Sequence, residues 1–211
     1  MQVRDTGSHR LRLLDLDARR GKFIRKFSSP NTPGLRALQA RDQVAGLLRA
    51  VLNARNKALH GVPAMPPLLV KIAPDLTEAE LVDIAEVALA AGVDGLIAAN
   101  TTTDRPATLR SPHRGEAGGL SGRPLLEKAN ACLASVYRHT KGRIPIIGCG
   151  GVASGADAYA KIRAGASLVQ FYSALVFGGP GLVPRIKREL ALCLRRDGFA
   201  SVREAVVADH R

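Results

Sequence analysis

Five short strings carry groups able to do chemistry. The first is Ser28-Ser29-Pro30-Asn31-Thr32-Pro33-Gly34, a serine beside a rigid turn that bears an asparagine. Ser29 set against a substrate C–H could accept a proton, but serine is a poor base in water and needs a relay or developing charge. A Pro-rich turn accounts for the same residues. Lys71 lies near the end of an otherwise apolar run, Leu68-Leu69-Val70-Lys71-Ile72. An ammonium pointing into a barrel mouth is costly unless it meets an anionic or electron-rich partner. A flavin is such a partner, because its N1–C2=O edge gains negative charge on reduction; a lysine snorkelling to the surface is an equal alternative. Asn100 and Thr101 follow the run Gly95–Ala99. They offer the donors and acceptors that suit a planar imide such as a pyrimidine, and also those of an ordinary loop cap. Gly148-Cys149-Gly150-Gly151 and Phe171-Tyr172-Ser173 end two further apolar runs. Backbone NH groups freed by glycine, with a helix beginning near Ser154, make an anion cradle. Tight turns explain one such loop; two at consecutive strand ends favour phosphate.

The elements that must position these residues recur from Pro67 onward as a short apolar run, a loop and a helical stretch. The runs at 68–72, 95–99, 144–148 and 167–171 are too short for helices and show no polar alternate face. They read as strands buried on both sides, as in a parallel sheet. Thr77 with Glu80 opens a helix closed by Gly92, and Ser154 with Asp157 opens another closed by Gly165. Segments 37–59, 122–140 and 181–197 are also helical in pattern. Right-handed βαβ units follow, about four of them, compatible with half of a (β/α)₈ barrel or with a flavodoxin-like open sheet. Chemistry at strand ends, with phosphate after the last two strands, favours the barrel. The 211 residues fall short of the roughly 250 of a whole barrel. The long loop 101–121 is a candidate lid.

Bulk properties exclude several functions. Net charge is +13, concentrated in residues 1–27 and on the helix carrying Arg185, Lys187, Arg188, Arg195 and Arg196, which reads as a solvated face. Only 4% of residues are aromatic, leaving little to stack bases on, and nucleic-acid binding is not expected. Cys132, Cys149 and Cys193 are too scattered for a disulfide framework, and with the five dispersed histidines they give no metal site. The sequence contains no spanning apolar run and no convincing presequence.

In order and spacing, SSPNTPGLR at 28–36, LLVKIAPDL at 68–76, DGLIAANTT at 94–102, GGLSGRPL at 118–125, IPIIGCGGVASG at 144–155, IRAGASLVQFYSAL at 162–175 and RDGFASVREAV at 196–206 resemble the class 2, quinone-linked dihydroorotate dehydrogenases. GCGG and the ending ADHR resemble plant and algal mitochondrial members in particular. The resemblance implies an α/β fold, the C-terminal half (strands 4/5 to 8) of a TIM (β/α)₈ barrel over residues 28–211. It implies FMN as cofactor, (S)-dihydroorotate oxidised to orotate in pyrimidine biosynthesis, a quinone as acceptor, and the mitochondrial inner membrane as location. Ser29 then matches the base that removes the C5 proton, with serine in place of cysteine marking class 2. Asn31, Asn100 and Thr101 match substrate-binding residues. Lys71 matches the lysine at the flavin ring. Gly122, Gly150, Gly151, Tyr172 and Ser173 match contacts to FMN.

Residues 1–27 do not resemble the family. Where its members have an apolar strand ending in asparagine, this chain has Phe23-Ile24-Arg25-Lys26-Phe27, a basic stretch implausible in a barrel interior. The membrane-associating helices and the first half of the barrel are not in the sequence. The expectation is therefore a truncated chain that keeps most of the FMN phosphate half-site without a complete active site, associates with membrane by family only, and can self-associate through exposed barrel edges. Two other readings fit the same composition: another phosphate-binding barrel, or a non-enzymatic basic fragment that binds anionic partners.

Overall fold

The computed structural model describes residues 41–61, 63, 65–206 and 208–210, together with the backbone of three short strands before them. Strands β1 (Val3–Arg4) and β2 (Arg10–Leu11) form an antiparallel pair. The remaining strands, β3 (Phe23–Lys26), β4 (Leu68–Ile72), β5 (Gly95–Ala98), β6 (Ile146–Cys149) and β7 (Leu168–Gln170), form one five-stranded parallel sheet. The sequence pattern does not predict β3, because the stretch is basic. Its backbone nonetheless pairs in register with β4, Lys26 opposite Lys71.

Spatial strand order follows chain order, β3-β4-β5-β6-β7. Right-handed crossovers between parallel strands laid down always in one direction put every helix on the same face. A flavodoxin-like sheet needs the order to reverse, so the arrangement is part of a closed barrel wall. Helices α1 (Arg41–Ala58), α2 (Glu78–Ala91), α3 (Leu126–Thr140), α4 (Gly155–Arg163) and α6 (Leu182–Arg196) pack in turn along that outer face, and short α5 (Ser173–Gly178) follows β7. Period-two alternation sorts the side chains. Leu68, Val70, Ile72, Leu96, Ala98 and Ile146 face the helices and belong to the main core. Lys71, Ile97 and Cys149 face the other way, toward a cavity.

Local signals explain the helix limits. Thr77 and Glu80 form a reciprocal capping box at the start of α2, and Gly92 ends it in the left-handed conformation at φ 68°. The α4–α6 contact is very close. A Cβ on Gly155 would stand 2.2 Å from Glu189 Cβ and 2.5 Å from the Leu190 amide nitrogen, so only glycine lets α4 begin there. No helix among the described residues is long and apolar enough to cross a membrane. Beside the β7 edge, Leu168, Tyr172, Val176 and Phe177 are exposed. Because the α6 backbone cannot move aside, Gly155→Ala is expected to destabilise the fold by about 1–3 kcal/mol. Urea unfolding reads this as a lower midpoint at unchanged slope; an unchanged midpoint would contradict the α4–α6 packing.

Candidate functional site

The C-terminal ends of β4 to β7 surround a cavity of about 930 Å³. Lys71, Asn100, Thr101, Gly122, Gly150, Gly151, Tyr172 and Ser173 all line it. Ser29 and Asn31 lie outside the described residues.

Lys71 is half-buried on the inner face of β4, and its Nζ lies 3.9 Å from Cys149 Sγ. No carboxylate stands within 4 Å of it among the described residues. The lysine therefore projects into the cavity and does not escape to solvent. Of the cysteines, Cys149 is the one that faces this space. Burial pushes the Cys132 thiol, held under the sheet, up to about 12.

Asn100 and Thr101 are placed by a clamp centred on Asp75. The Asn100 amide donates to Ile72 O at 2.8 Å, continuing the β4–β5 ladder. Beyond it, Thr102 Oγ1 donates to Asp75, the Thr103 amide donates to Asp75 Oδ2 at 3.0 Å, and Lys128 Nζ on α3 pairs with Asp75 Oδ1 at 2.8 Å and also with Asp104. Burial alone would push the Asp75 carboxyl up. Hydrogen bonds from Lys128, Thr102 and Thr103 outweigh that and hold it below its ordinary value. The candidate lid, 101–121, is tied at its base: Thr102 bridges Leu120, and the Arg105 guanidinium donates to the carbonyls of Thr103, Asp104, Glu116 and Gly118. Ser121 Oγ and Ser173 Oγ are 2.9 Å apart, joining this loop to the start of α5.

The expected anion cradle differs from the sequence reading in one respect. Two first-turn donors of α4, the amides of Gly155 and Asp157, are already satisfied. The Ala153 amide donates to Asp157, the Gly155 amide to Glu189 at 2.6 Å, and the Asp157 amide to Ser154 Oγ. A glutamate that arrives from α6 thus takes the Gly155 amide at the helix start and puts a negative charge where an anion would sit. Free amides lie instead at Gly150 and Gly151, which make no backbone hydrogen bond among the described residues. Both glycines have positive φ, 101° and 78°, and a Cβ on Gly151 would stand 2.5 Å from Leu126 Cα. The loop is therefore seated on the first turn of α3, where only glycine fits.

Sequence reasoning missed three groups. Arg123 and Arg185 both line the cavity; Arg123 pairs with Asp157 at 3.2 Å, and Arg185 donates to Ala153 O at 3.3 Å. Arg185 was expected on a solvated helix face, and helical periodicity cannot tell that face from a cavity rim. Asp75 gave no signal beyond its place in the APD string. The arrangement as a whole offers an anion cradle at one end, apolar walls, a lone ammonium and a tethered Asn-Thr loop. These suit a phosphorylated planar cofactor beside a small polar substrate.

Comparison with known proteins gives that geometry a context. The family model for dihydroorotate dehydrogenase matches residues 23–194. The match begins inside the segment 1–27 and takes in β3. A protein of Azorhizobium caulinodans named dihydroorotate dehydrogenase (quinone) is 62% identical over 90% of this chain and 53% of its own length. The mitochondrial dihydroorotate dehydrogenase (quinone) of Arabidopsis thaliana is 57% identical over 90% of this chain and 41% of its own. The bacterial identity is the higher, so a particular nearness to plant members does not hold. A crystal structure of DHODH from Eimeria tenella in complex with ferulenol superimposes with a TM-score of 0.85 at 43% identity, covering 89% of this chain and 54% of that one. The chain spans about half the length of the relatives it matches, and its fold is part of their TIM barrel.

Replacing Asp75 by alanine should free the loop that carries Asn100 and Thr101. Hydrogen exchange at the Thr103 amide is expected to speed up about tenfold or more, in line with the ~1–3 kcal/mol of a buried hydrogen bond lost. The same carboxyl sets a pH window. A folded-state value held below the ordinary one means the clamp is complete above about pH 4 and lost as pH falls through the lowered value. A Thr103 amide shift that titrates near neutral pH would contradict this.

Proposed function

Because the chain belongs to the dihydroorotate dehydrogenase family, we propose that it binds FMN in this cavity and serves the oxidation of (S)-dihydroorotate to orotate with a quinone as final acceptor. The observation that carries the proposal is the pair of amides at Gly150 and Gly151 with no backbone partner among the described residues, on a loop that no Cβ could enter, lining the same cavity as Lys71.

The residues fit the cofactor. Gly150, Gly151, Tyr172 and Ser173 would hold the phosphate, Gly122 the adjoining edge, and Lys71 the electron-rich side of the ring. Bound FMN would supply the acceptor for the hydride that leaves C6 of the substrate. The chain's own part is to bind and orient. Asn31, Asn100 and Thr101 would hold the pyrimidine and its carboxylate, and Ser29 would take the C5 proton. Loss of that proton from C5 and the hydride from C6 leaves the C5=C6 double bond of orotate. The Asp75 clamp fixes the Asn100–Thr101 loop before substrate arrives, which reduces the ordering cost of binding. The apolar walls formed by Ile97, Leu125, Val152 and Leu182 exclude water from the same space. For location we propose the membrane where the quinone resides, the mitochondrial inner membrane in a eukaryotic cell, supported by the name of the Arabidopsis relative.

Titration of the purified chain with FMN is expected to quench flavin fluorescence, and anaerobic dihydroorotate should then bleach the flavin absorbance. Lys71→Met should weaken binding and slow bleaching together. Ser29→Ala should leave FMN binding intact and slow bleaching by about 10²–10⁴-fold, the usual loss when a general base is removed. A chain that binds no FMN would remove the cofactor from the proposal. A chain that binds FMN without bleaching would remove the oxidation and leave the cofactor.

A further inference from the structure

We propose that Lys161, buried behind the glycine loop, positions the phosphate of the bound cofactor by its charge. The inference rests on the FMN reading above.

Lys161 is 0% exposed, the largest of the fully buried side chains. Its stem fills the space behind β6, where a Cβ on Gly148 would lie 2.9 Å from Lys161 Cδ. The ammonium donates to Asn130 Oδ1 at 2.7 Å. Asn130 lies on α3 one turn beyond Leu126, at the i+4 spacing that puts the two on one face, and next in sequence to Ala129. Those are the two α3 residues against which Gly151 and Gly150 are seated. The α3 surface that supports the two free amides therefore also holds the lysine head, one helical turn further on.

The environment gives that charge no directly paired carboxylate among the described residues. An ammonium has three hydrogens to donate, and among the described residues Asn130 is its one hydrogen-bond partner. No carboxylate lies within 4 Å of it in the same set. The groups that face it are Cys149 from β6, Cys132 and Asn130 from α3, and Asp157 from α4 itself. The Asp157 carboxylate is already occupied by Arg123 and the Ala153 amide. Desolvation pulls the lysine down to about 8, so it is still largely protonated at neutral pH.

A core with no other duty would be served as well by methionine, because an unpaired buried charge costs more than it returns. A fixed positive charge in a poorly screened interior, behind an anion cradle, acts on that anion more strongly than an exposed one. The rim arginines are less suited to this. Arg123 is largely exposed and paired with Asp157, and Arg185 lies near Glu189.

The test compares Lys161→Met and Lys161→Gln with the parent chain at pH 7. It reads the affinities for FMN and for riboflavin, which lacks the phosphate, and the competition of inorganic phosphate against FMN. Both variants are expected to bind FMN about tenfold more weakly, to show phosphate competition weakened by a similar factor, and to keep the riboflavin affinity of the parent. The melting temperature of Lys161→Met should be equal to or above that of the parent. Variants that bind FMN as the parent does would overturn the inference alone. So would an equal loss for FMN and riboflavin, or a failure of both variants to fold, since each marks a structural role. A parent chain that binds FMN no better than riboflavin would overturn the cradle and this inference together.

Discussion

The seat of Gly151 on the first turn of α3 governs the rest of the site. A Cβ there would come within 2.5 Å of the Leu126 backbone, so the loop after β6 can approach α3 this closely only without side chains. That approach turns the amides of Gly150 and Gly151 toward the cavity and leaves them without backbone partners among the described residues. Both glycines are only partly buried, and their amides border the cavity. Their presence at the end of a strand, in a cavity that also holds a lysine with no carboxylate within 4 Å among the described residues, supports the proposal that a ligand binds here.

Around that seat the remaining groups are held by contacts distant in sequence. Asp75 gathers Thr102, Thr103 and Lys128 and so fixes the loop after β5. Glu189 reaches from α6 to the Gly155 amide at the start of α4, and its negative charge disfavours an anion at that helix end. Ser121 and Ser173 join the long loop to α5. Each contact places a loop at the C-terminal end of a strand, where a (β/α)₈ wall concentrates its chemistry.

Much of the fold was legible in the sequence because its signals are local. The capping box of Thr77 and Glu80, the left-handed Gly92 and the apolar runs of β4, β5 and β6 each depend on a few neighbouring residues. What escaped is non-local. A run buried on both faces does not say which face is the cavity, so the direction of Lys71 could not be read from Leu68–Ile72. The pattern of α6 places Arg185 among solvated residues, whereas tertiary packing puts it on the rim. Nothing in the local sequence sets Lys161 apart from an exposed helical lysine, yet it is wholly buried. Strand β3 was missed because charge argued against it, while its backbone pairing with β4 is indifferent to side-chain charge. The placement of Ser29 and Asn31 belongs to residues not described, and their roles rest on the family resemblance.

Amide chemical shifts recorded as FMN is added to isotopically labelled chain test the central claim most directly. The account predicts the largest shifts at Gly150, Gly151, Tyr172 and Ser173, with smaller ones at Lys71 and Asn100 and little change at Gly155 at the start of α4. Shifts concentrated at the α4 N-terminus, or spread over the basic surface of α6 and absent from the glycine loop, would contradict it.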